Sequence, residues 1–286
     1  ETRVYSRTYL TTLDWRTETT EDGHATAVAR IRKHLAAGET YQVNFTFPLR
    51  GSFTGDPEAL FWRLAPTSSA PHAAFLDCGG TAVVSLSPEL FFRRAGERLV
   101  MRPMKGTRPR GRFTAEDAGM AAALAGSAKE RAENLMIVDM VRNDLGRIAE
   151  PGSVEVESLM ALERYPTVWQ MTSTVAARSA ASLPEVFAAL FPCASVTGAP
   201  KARTMEWIAR LERRPRGIYC GAIGWVAPQR RACFSVAIRT ALVDRVRGQI
   251  EYAVGSGVVW DSEAKAEYRE CLSKAKALEG PGPPFA

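Results

Sequence analysis

Hydrophobic and polar positions along the chain switch repeatedly between a helical and a strand period. HATAVARIRKHLAA (24–37) repeats its apolar residues at three- and four-residue steps, which predicts an amphipathic helix capped at its C-terminus by Gly38. TYQVNFTFPL (40–49) alternates instead and is rich in β-branched and aromatic residues, the pattern of a strand. Asp56-Pro57 opens a short helix over 57–65. Strands are predicted at 72–77, 81–86, 89–94 and 97–102, divided by Gly79-Gly80 and Ala95-Gly96, as one antiparallel patch. Residues 114–125 and 129–145 predict helices, the second ending near Gly146, and 153–162 and 167–176 predict strands. Helices follow over 183–191 and 200–213, with Pro200 suited to a first helical turn. Three strand-like runs, 217–227, 231–243 and 248–259, lead to a last helix over 261–278 that opens on Asp261-Ser262, good N-cap residues. Strand groups broken by helices, without regular βαβ alternation, predict an α+β fold of mostly antiparallel sheets.

Composition adds limits. A chain of 286 residues, 46% hydrophobic and 24% charged, can bury one large core or two packed lobes, and its balance excludes wholesale disorder. No apolar run reaches the roughly 18–20 residues of a membrane span. The sequence opens Glu-Thr-Arg with neither Met nor an apolar leader, as expected of a fragment or processed chain with no signal peptide. The closing GPGPPFA reads as a linker that could lead into another domain, so a catalytic domain is expected over 1–278 and a tail over 279–286. The five cysteines are odd in number and widely spaced. They form no C-x-x-C pair, which argues against zinc and disulfides and for a reducing, cytoplasmic setting.

Net charge changes the picture only once it is located. Eight of the 37 Lys and Arg, but one of the 31 Asp and Glu, fall in RRAGERLVMRPMKGTRPRGR (93–112). The rest of the chain is close to neutral. The segment lacks the aromatic interleaving of a nucleic-acid surface, so no nucleic-acid partner is expected. A solvated hairpin and a site for a small anion both remain open.

Several constellations could carry chemistry. Glu263, Glu267, Glu270 and Lys274 fall on one stripe of the last helix, and Glu130 and Glu133 form an i,i+3 pair on the helix over 129–145. Each alone is explained by a charged solvent face or a helix-dipole preference. Together they offer the carboxylate oxygens that Mg2+ prefers. Glu89 and Lys105 stand sixteen residues apart across a predicted hairpin. A lysine among other cations has its ammonium form disfavoured, which exposes a nucleophilic amine, and a nearby carboxyl could shuttle protons. Thr197 and Gly198 precede a helix N-terminus suited to a carboxylate, without the spacing of a phosphate-binding loop. Gly255 and Gly257 near a strand end allow close approach of a ligand, or mark a bulge. His24, His34 and His72 lie in no nucleophile-like context, which argues against Ser-His-Asp or Cys-His catalysis.

Read together, KGTRPRG, ENLMIVDMVRNDLGRI, SVTGAPKARTMEWI, IYCGAIGW, SVAIRT, VGSGVVWDSEAKAEYRE and CLSKA resemble the chorismate-utilising enzymes, in order, over about residues 24–278. The resemblance implies a two-lobed α+β sandwich of antiparallel sheets with a cleft between the lobes. It implies Mg2+ ligation by Glu133 and Glu270, supported by Glu130 and Glu267. Substrate contacts implied in the same way are Tyr219, Arg239, Lys274, Gly255 and Gly257, with Thr197 and Gly198 nearby. An arginine clamp suits chorismate, a dianion.

Within the family, anthranilate synthases carry Ala where this chain has Lys105, whereas aminodeoxychorismate synthases carry P-I-K-G-T, against Pro103-Met104-Lys105-Gly106-Thr107 here. In that group the Lys attacks C2 of chorismate and expels the C4 hydroxyl. Ammonia then adds at C4 and releases the Lys, and Glu89 matches the acid/base residue. Gln42 stands where isochorismate and salicylate synthases have a Lys that activates water. Gln170 stands where many relatives have an active-site His, and it is expected among the substrate contacts. The implied partners are chorismate, ammonia, a glutamine amidotransferase subunit, and a fused or separate aminodeoxychorismate lyase. Most of the N-terminal subdomain in which longer relatives bind tryptophan is absent, so no such site is expected. The readings left open are an anthranilate synthase large subunit and a catalytically silent scaffold that binds the amidotransferase.

Overall fold

The computed structural model describes residues 15–68, 70–275 and 278. In chain order the elements begin with α1 (Glu21–Ala36), β1 (Gln42–Ser52), α2 (Pro57–Ser68), β2 (His72–Asp77) and β3 (Thr81–Ser87). Next come β4 (Leu90–Ala95), β5 (Arg98–Arg102), β6 (Met104–Pro109), α3 (Thr114–Gly126), α4 (Ala128–Gly146), β7 (Glu155–Arg164), β8 (Val168–Arg178) and α5 (Leu183–Leu190). The chain continues through β9 (Gly198–Ala199), α6 (Lys201–Glu212), β10 (Ala222–Ala227), β11 (Arg231–Val236), β12 (Thr240–Asp244), β13 (Gln249–Val258) and α7 (Ala264–Ala275). This is the expected α+β class, with antiparallel pairing among β2, β3, β12, β13 and β1 and among β4, β5, β6, β7, β8, β10 and β11.

Where one catalytic domain is expected over 1–278, the chain forms two compact units built from interleaved segments. One takes residues up to Pro88, Ala202–Gly221 and the chain from Ala237 onward; the other takes Glu89–Lys201 and Ala222–Val236. The tail expected at 279–286 lies outside the described residues.

The first unit is built on strands in the order β2-β3-β12-β13-β1. Helix α1 forms because Thr20 caps it, accepting from the Gly23 N–H, while Glu21 and Asp22 favour its N-terminal dipole and Lys33 and His34 its C-terminal end. Its buried stripe of His24, Ala27, Val28 and Ile31 keeps the i, i+3, i+4, i+7 spacing. That stripe joins a core with Phe45, Phe47 and Leu49 of β1, Leu60 and Leu64 of α2, Val84 and Leu86 of β3, and Tyr252 and Val254 of β13.

The second unit carries the order β10-β11-β4-β5-β8-β6, with β7 beside β8. Helices α3 and α4 pack on β6 and β8. Phe92, Phe187 and Phe234 meet in mutual ring contacts, with Phe187 edge-on to Phe234 at 4.9 Å. Leu99, Met101, Ile137, Leu145 and Val175 are fully buried beside this unit's backbone.

Four expectations are corrected. The strands β2 to β5 do not form one patch, because the chain crosses from one sheet to the other at Pro88 and Glu89. The run 231–243 is two strands, β11 and β12, broken at residues 237–239. No turn residue marks that break. It is held by the Cys220 N–H to the Ala237 carbonyl, the Ala237 N–H to the Gly221 carbonyl, and Arg239 at φ +50°. The helix expected from 200 starts at Lys201, with Pro200 just outside it, and the one expected from 261 starts at Ala264. Strand β6 was hidden because its sequence, MKGTRP, has little strand propensity and is ordered by its pairing with β8.

Candidate active site

Lys105 lies on a bulge. Strand β6 pairs Met104 with Thr172 and Thr107 with Gln170, so Lys105 and Gly106 face Met171 alone. Gly106 supplies the bend at φ +88°. A Cβ there would lie 3.1 Å from both Glu130 Oε2 and Leu124 Cδ1. Gly106→Ala therefore strains the backbone and pushes on Glu130. It should cost about 1–3 kcal/mol in urea unfolding, and a variant as stable as the parent would refute the packing argument.

Glu89 immediately precedes β4 and is buried to 3% exposure. Burial pushes its carboxyl up to about 7, against the opposing pull of a hydrogen bond from Ser195 and the charge of Lys105. A carboxyl with that affinity exchanges protons at neutral pH. Lys105 is half-buried and has no carboxylate within ion-pair distance among the described residues. The Glu89 carboxyl and the Lys105 amine thus lie close enough to influence each other electrostatically.

The rest of the basic run is not a free positive patch. Arg98 pairs with Glu157, Arg102 with Glu163, Arg108 with Glu130 at 3.8 Å, Arg110 with Asp117 at 2.5 Å, and Arg112 with Glu116 at 3.3 Å. The excess charge counted along the sequence is offset by acids from α3, α4 and β7.

On α4, Ser127 caps the helix and Glu130 and Glu133 lie one turn apart, with Arg108 3.8 Å from Glu130 and Lys129 4.0 Å from Glu133. Glu130 is the group that Gly106 makes room for. Gln170, expected to contact substrate, has both ends of its amide bonded to Gly106 and Thr107. The Thr197 hydroxyl donates to the Cys193 and Ala194 carbonyls, closing the turn that carries Ser195, and Gly198 follows it in β9.

The first unit brings together a second set. Lys274 Nζ donates to the Gly255 carbonyl at 2.7 Å and lies 2.9 Å from Glu270. Glu267 is buried and accepts from Ser262 Oγ at 2.7 Å. No bulge occurs at the glycines, since β1 and β13 pair without a break from Val43↔Val258 to Ser52↔Gln249. Gly255 is required instead by close packing: a Cβ would lie 2.7 Å from the Phe45 carbonyl and from Thr46 Cγ2. Gly257 pairs with Asn44 and Gly255 with Thr46, so the glycines share a sheet face with Gln42, Asn44 and Thr46. On that face the Gln42 carboxamide is buried with neither its oxygen nor its nitrogen hydrogen-bonded, the signature of a side chain that awaits a ligand or water. Tyr219 has its phenol held well above the ordinary range by burial, and Arg239 has no carboxylate partner among the described residues.

Among the described residues no group of three or more His, Cys, Asp or Glu converges into a metal cluster. The four candidate glutamates are two pairs, one in each unit. Their donor chemistry fits Mg2+, which takes one or two carboxylates and completes its shell with water and substrate oxygens.

Sequence reasoning missed two features of the second unit. Ser195, which bonds Glu89, lies over a hundred residues away with no local mark. Lys201 forms a partly buried ion pair with Asp144 and donates to the Leu190 carbonyl. Burial also pushes the Cys193 thiol up to about 12, so it stays protonated beside Ser195.

Residues 5–280 match the family model of the chorismate binding enzyme. The chain belongs to that family. Among curated members, it is 46% identical over 252 residues to an aminodeoxychorismate synthase of Streptomyces pristinaespiralis, covering 87% of this chain and 35% of that one. It is 39% identical over 272 residues to aminodeoxychorismate synthase component 1 of Escherichia coli (strain K12), covering 94% and 60%. Among solved structures, anthranilate synthase component I from Streptococcus pneumoniae TIGR4 matches with a TM-score of 0.87 at 30% identity, covering 94% and 60%. The chain thus spans about a third of one chorismate binding relative's length and three fifths of the others. No helix among the described residues is long and apolar enough to cross a membrane.

Proposed function

We propose that this chorismate binding enzyme aminates chorismate at C4 to give 4-amino-4-deoxychorismate, with Lys105 as nucleophile. The observation that carries the reading is Glu89, a buried carboxyl raised to about 7 that feels the charge of the Lys105 amine without forming an ion pair with it. The Lys105 amine forms a bond to C2 and the ring double bonds shift. The C4–O bond breaks, and Glu89 gives its proton to the departing hydroxyl, which leaves as water. Ammonia then forms the C4–N bond, the double bonds shift back, and the C2–N bond to Lys105 breaks. Glu89 recovers its proton from the added ammonia. Two conjugate displacements replace one difficult substitution.

Other residues have binding roles in this reading. Arg239, Tyr219, Lys274 and the backbone at Gly255, Gly257, Thr197 and Gly198 are the proposed holders of the substrate carboxylates. The unpaired Gln42 amide offers both donor and acceptor to substrate or ammonia and, unlike a lysine, cannot activate water as a base. Glu133 and Glu270, supported by Glu130 and Glu267, are the proposed Mg2+ ligands. When bound, the ion would offset the negative charge of a substrate carboxylate. A glutamine amidotransferase subunit is the proposed source of ammonia.

The test is incubation with chorismate, Mg2+ and ammonium salt, with products identified by mass and chromatography. The expected product is 4-amino-4-deoxychorismate, lost with EDTA and restored by added Mg2+. Anthranilate with pyruvate would sink the reading, as would EDTA-resistant turnover the metal assignment.

A further inference from the structure

The bulge that carries Lys105 is closed by a side chain. Where the β6–β8 pairing slips between Met104 and Thr107, the Gly106 carbonyl loses its place in the ladder. Gln170 Nε2 donates to that carbonyl at 2.7 Å. Thr107 Oγ1 donates to Gln170 Oε1 at 2.9 Å. One carboxamide therefore ties down both residues that follow Lys105. Gln170 itself is 7% exposed, so its amide reaches these partners from the buried side of the bulge.

We propose that Gln170 is a positioning residue for Lys105, locking the Lys105–Gly106–Thr107 bulge and thereby fixing where the amine is presented. The inference rests on the reading of Lys105 as nucleophile. It gives Gln170 a different role from the substrate contact implied by family resemblance, because both ends of the amide are already engaged. A glycine at positive φ leaves the segment free to swing unless something holds it, and a displacement near 1 Å costs about 10²-fold in rate. The substitution Gln170→Glu keeps the shape but removes the lock: a carboxylate has no donor for the Gly106 carbonyl. It would also bring a second negative charge to the glycine that already abuts Glu130.

The test compares Gln170→Glu with Thr107→Val, which removes only the bond to Oε1. Hydrogen exchange is followed at the amides of Lys105–Arg108, alongside kcat and KM for chorismate with ammonium. In Gln170→Glu, exchange in that segment should quicken by about tenfold or more while α4 stays protected. The kcat should fall by about tenfold or more with KM changed less than about threefold. Thr107→Val should show the same pattern at a few-fold. Unchanged exchange, unchanged kcat, or a raised KM at constant kcat would overturn the proposal, the last marking a substrate contact. If Gln170→Glu also loses protection in α4, Thr107→Val decides by the same criteria. If the parent forms no aminated product, the amination reading fails separately, and the exchange measurement still decides whether Gln170 holds the bulge.

Discussion

Lys105→Ala should yield a folded protein whose formation of 4-amino-4-deoxychorismate falls by roughly 10³-fold or more, the scale of losing a covalent nucleophile. Folding should survive because Lys105 sits on a bulge, half-buried and outside every ion pair of the basic run. The bonds that shape its segment come from Gly106, Thr107 and Gln170. Without the amine there is no group to enter at C2, and direct displacement of the C4 hydroxyl must occur in one step. Alanine is also the residue that anthranilate synthases resembling this chain carry, so the residual chemistry should shift toward ammonia adding without a lysine adduct. The measurement is product identity and rate with chorismate, Mg2+ and ammonium. Trapping adds a second readout: the parent, given chorismate and Mg2+ without ammonia, should gain mass on the peptide containing Lys105, and the variant should not. An unchanged product at an unchanged rate would remove Lys105 from the mechanism.

Much of this was legible in the sequence where local pattern suffices. The helix stripe of His24, Ala27, Val28 and Ile31 needs only its own spacing, and strands β2 to β5, with Gly79-Gly80 and Ala95-Gly96 among their dividers, form close to their expected bounds. What escaped depends on distant partners. MKGTRP is a strand because β8 pairs with it, and VAIRT is broken because Gly221 and Cys220 bond across it. The basic run showed an excess of charge along the sequence because its acids, among them Asp117, Glu157 and Glu163, come from later elements. The Glu89–Lys105 offset was visible in the sequence. The proton affinity of Glu89 was not, since desolvation and the Ser195 bond are set by residues far along the chain.

The bulge also makes neighbours of groups that the sequence kept apart. Gly106 leaves the space that Glu130 occupies on one side and is bonded by Gln170 on the other. The proposed nucleophile and one proposed metal-supporting carboxylate are therefore mechanically linked through a residue with no side chain. Substitutions at Gly106, Gln170 or Glu130 should not be additive, because each disturbs the same few atoms.

Glu89→Gln should cut turnover by about 10²–10⁴-fold, since an amide keeps the shape of the acid but has no proton to give. The parent's kcat should fall as pH rises through about 7, where Glu89 loses the proton destined for the leaving hydroxyl. The variant's residual turnover should lack that limb. Stability should move the other way. The folded-state affinity of Glu89 is raised from the ordinary 4.5 to about 7, so between those values the folded protein holds a proton that the unfolded chain has released. Stability of the parent therefore declines as pH rises across that window and levels off above it. A shift of that size corresponds to about 3 kcal/mol in full. Glutamine carries no charge and escapes the penalty. Urea unfolding should show the variant more stable than the parent by up to about 3 kcal/mol at pH 8, but by less than about 1 kcal/mol at pH 5. A difference that does not change with pH would mean that Glu89 titrates as an ordinary carboxylate. The proposed acid would then be empty of its proton at the pH where it must act.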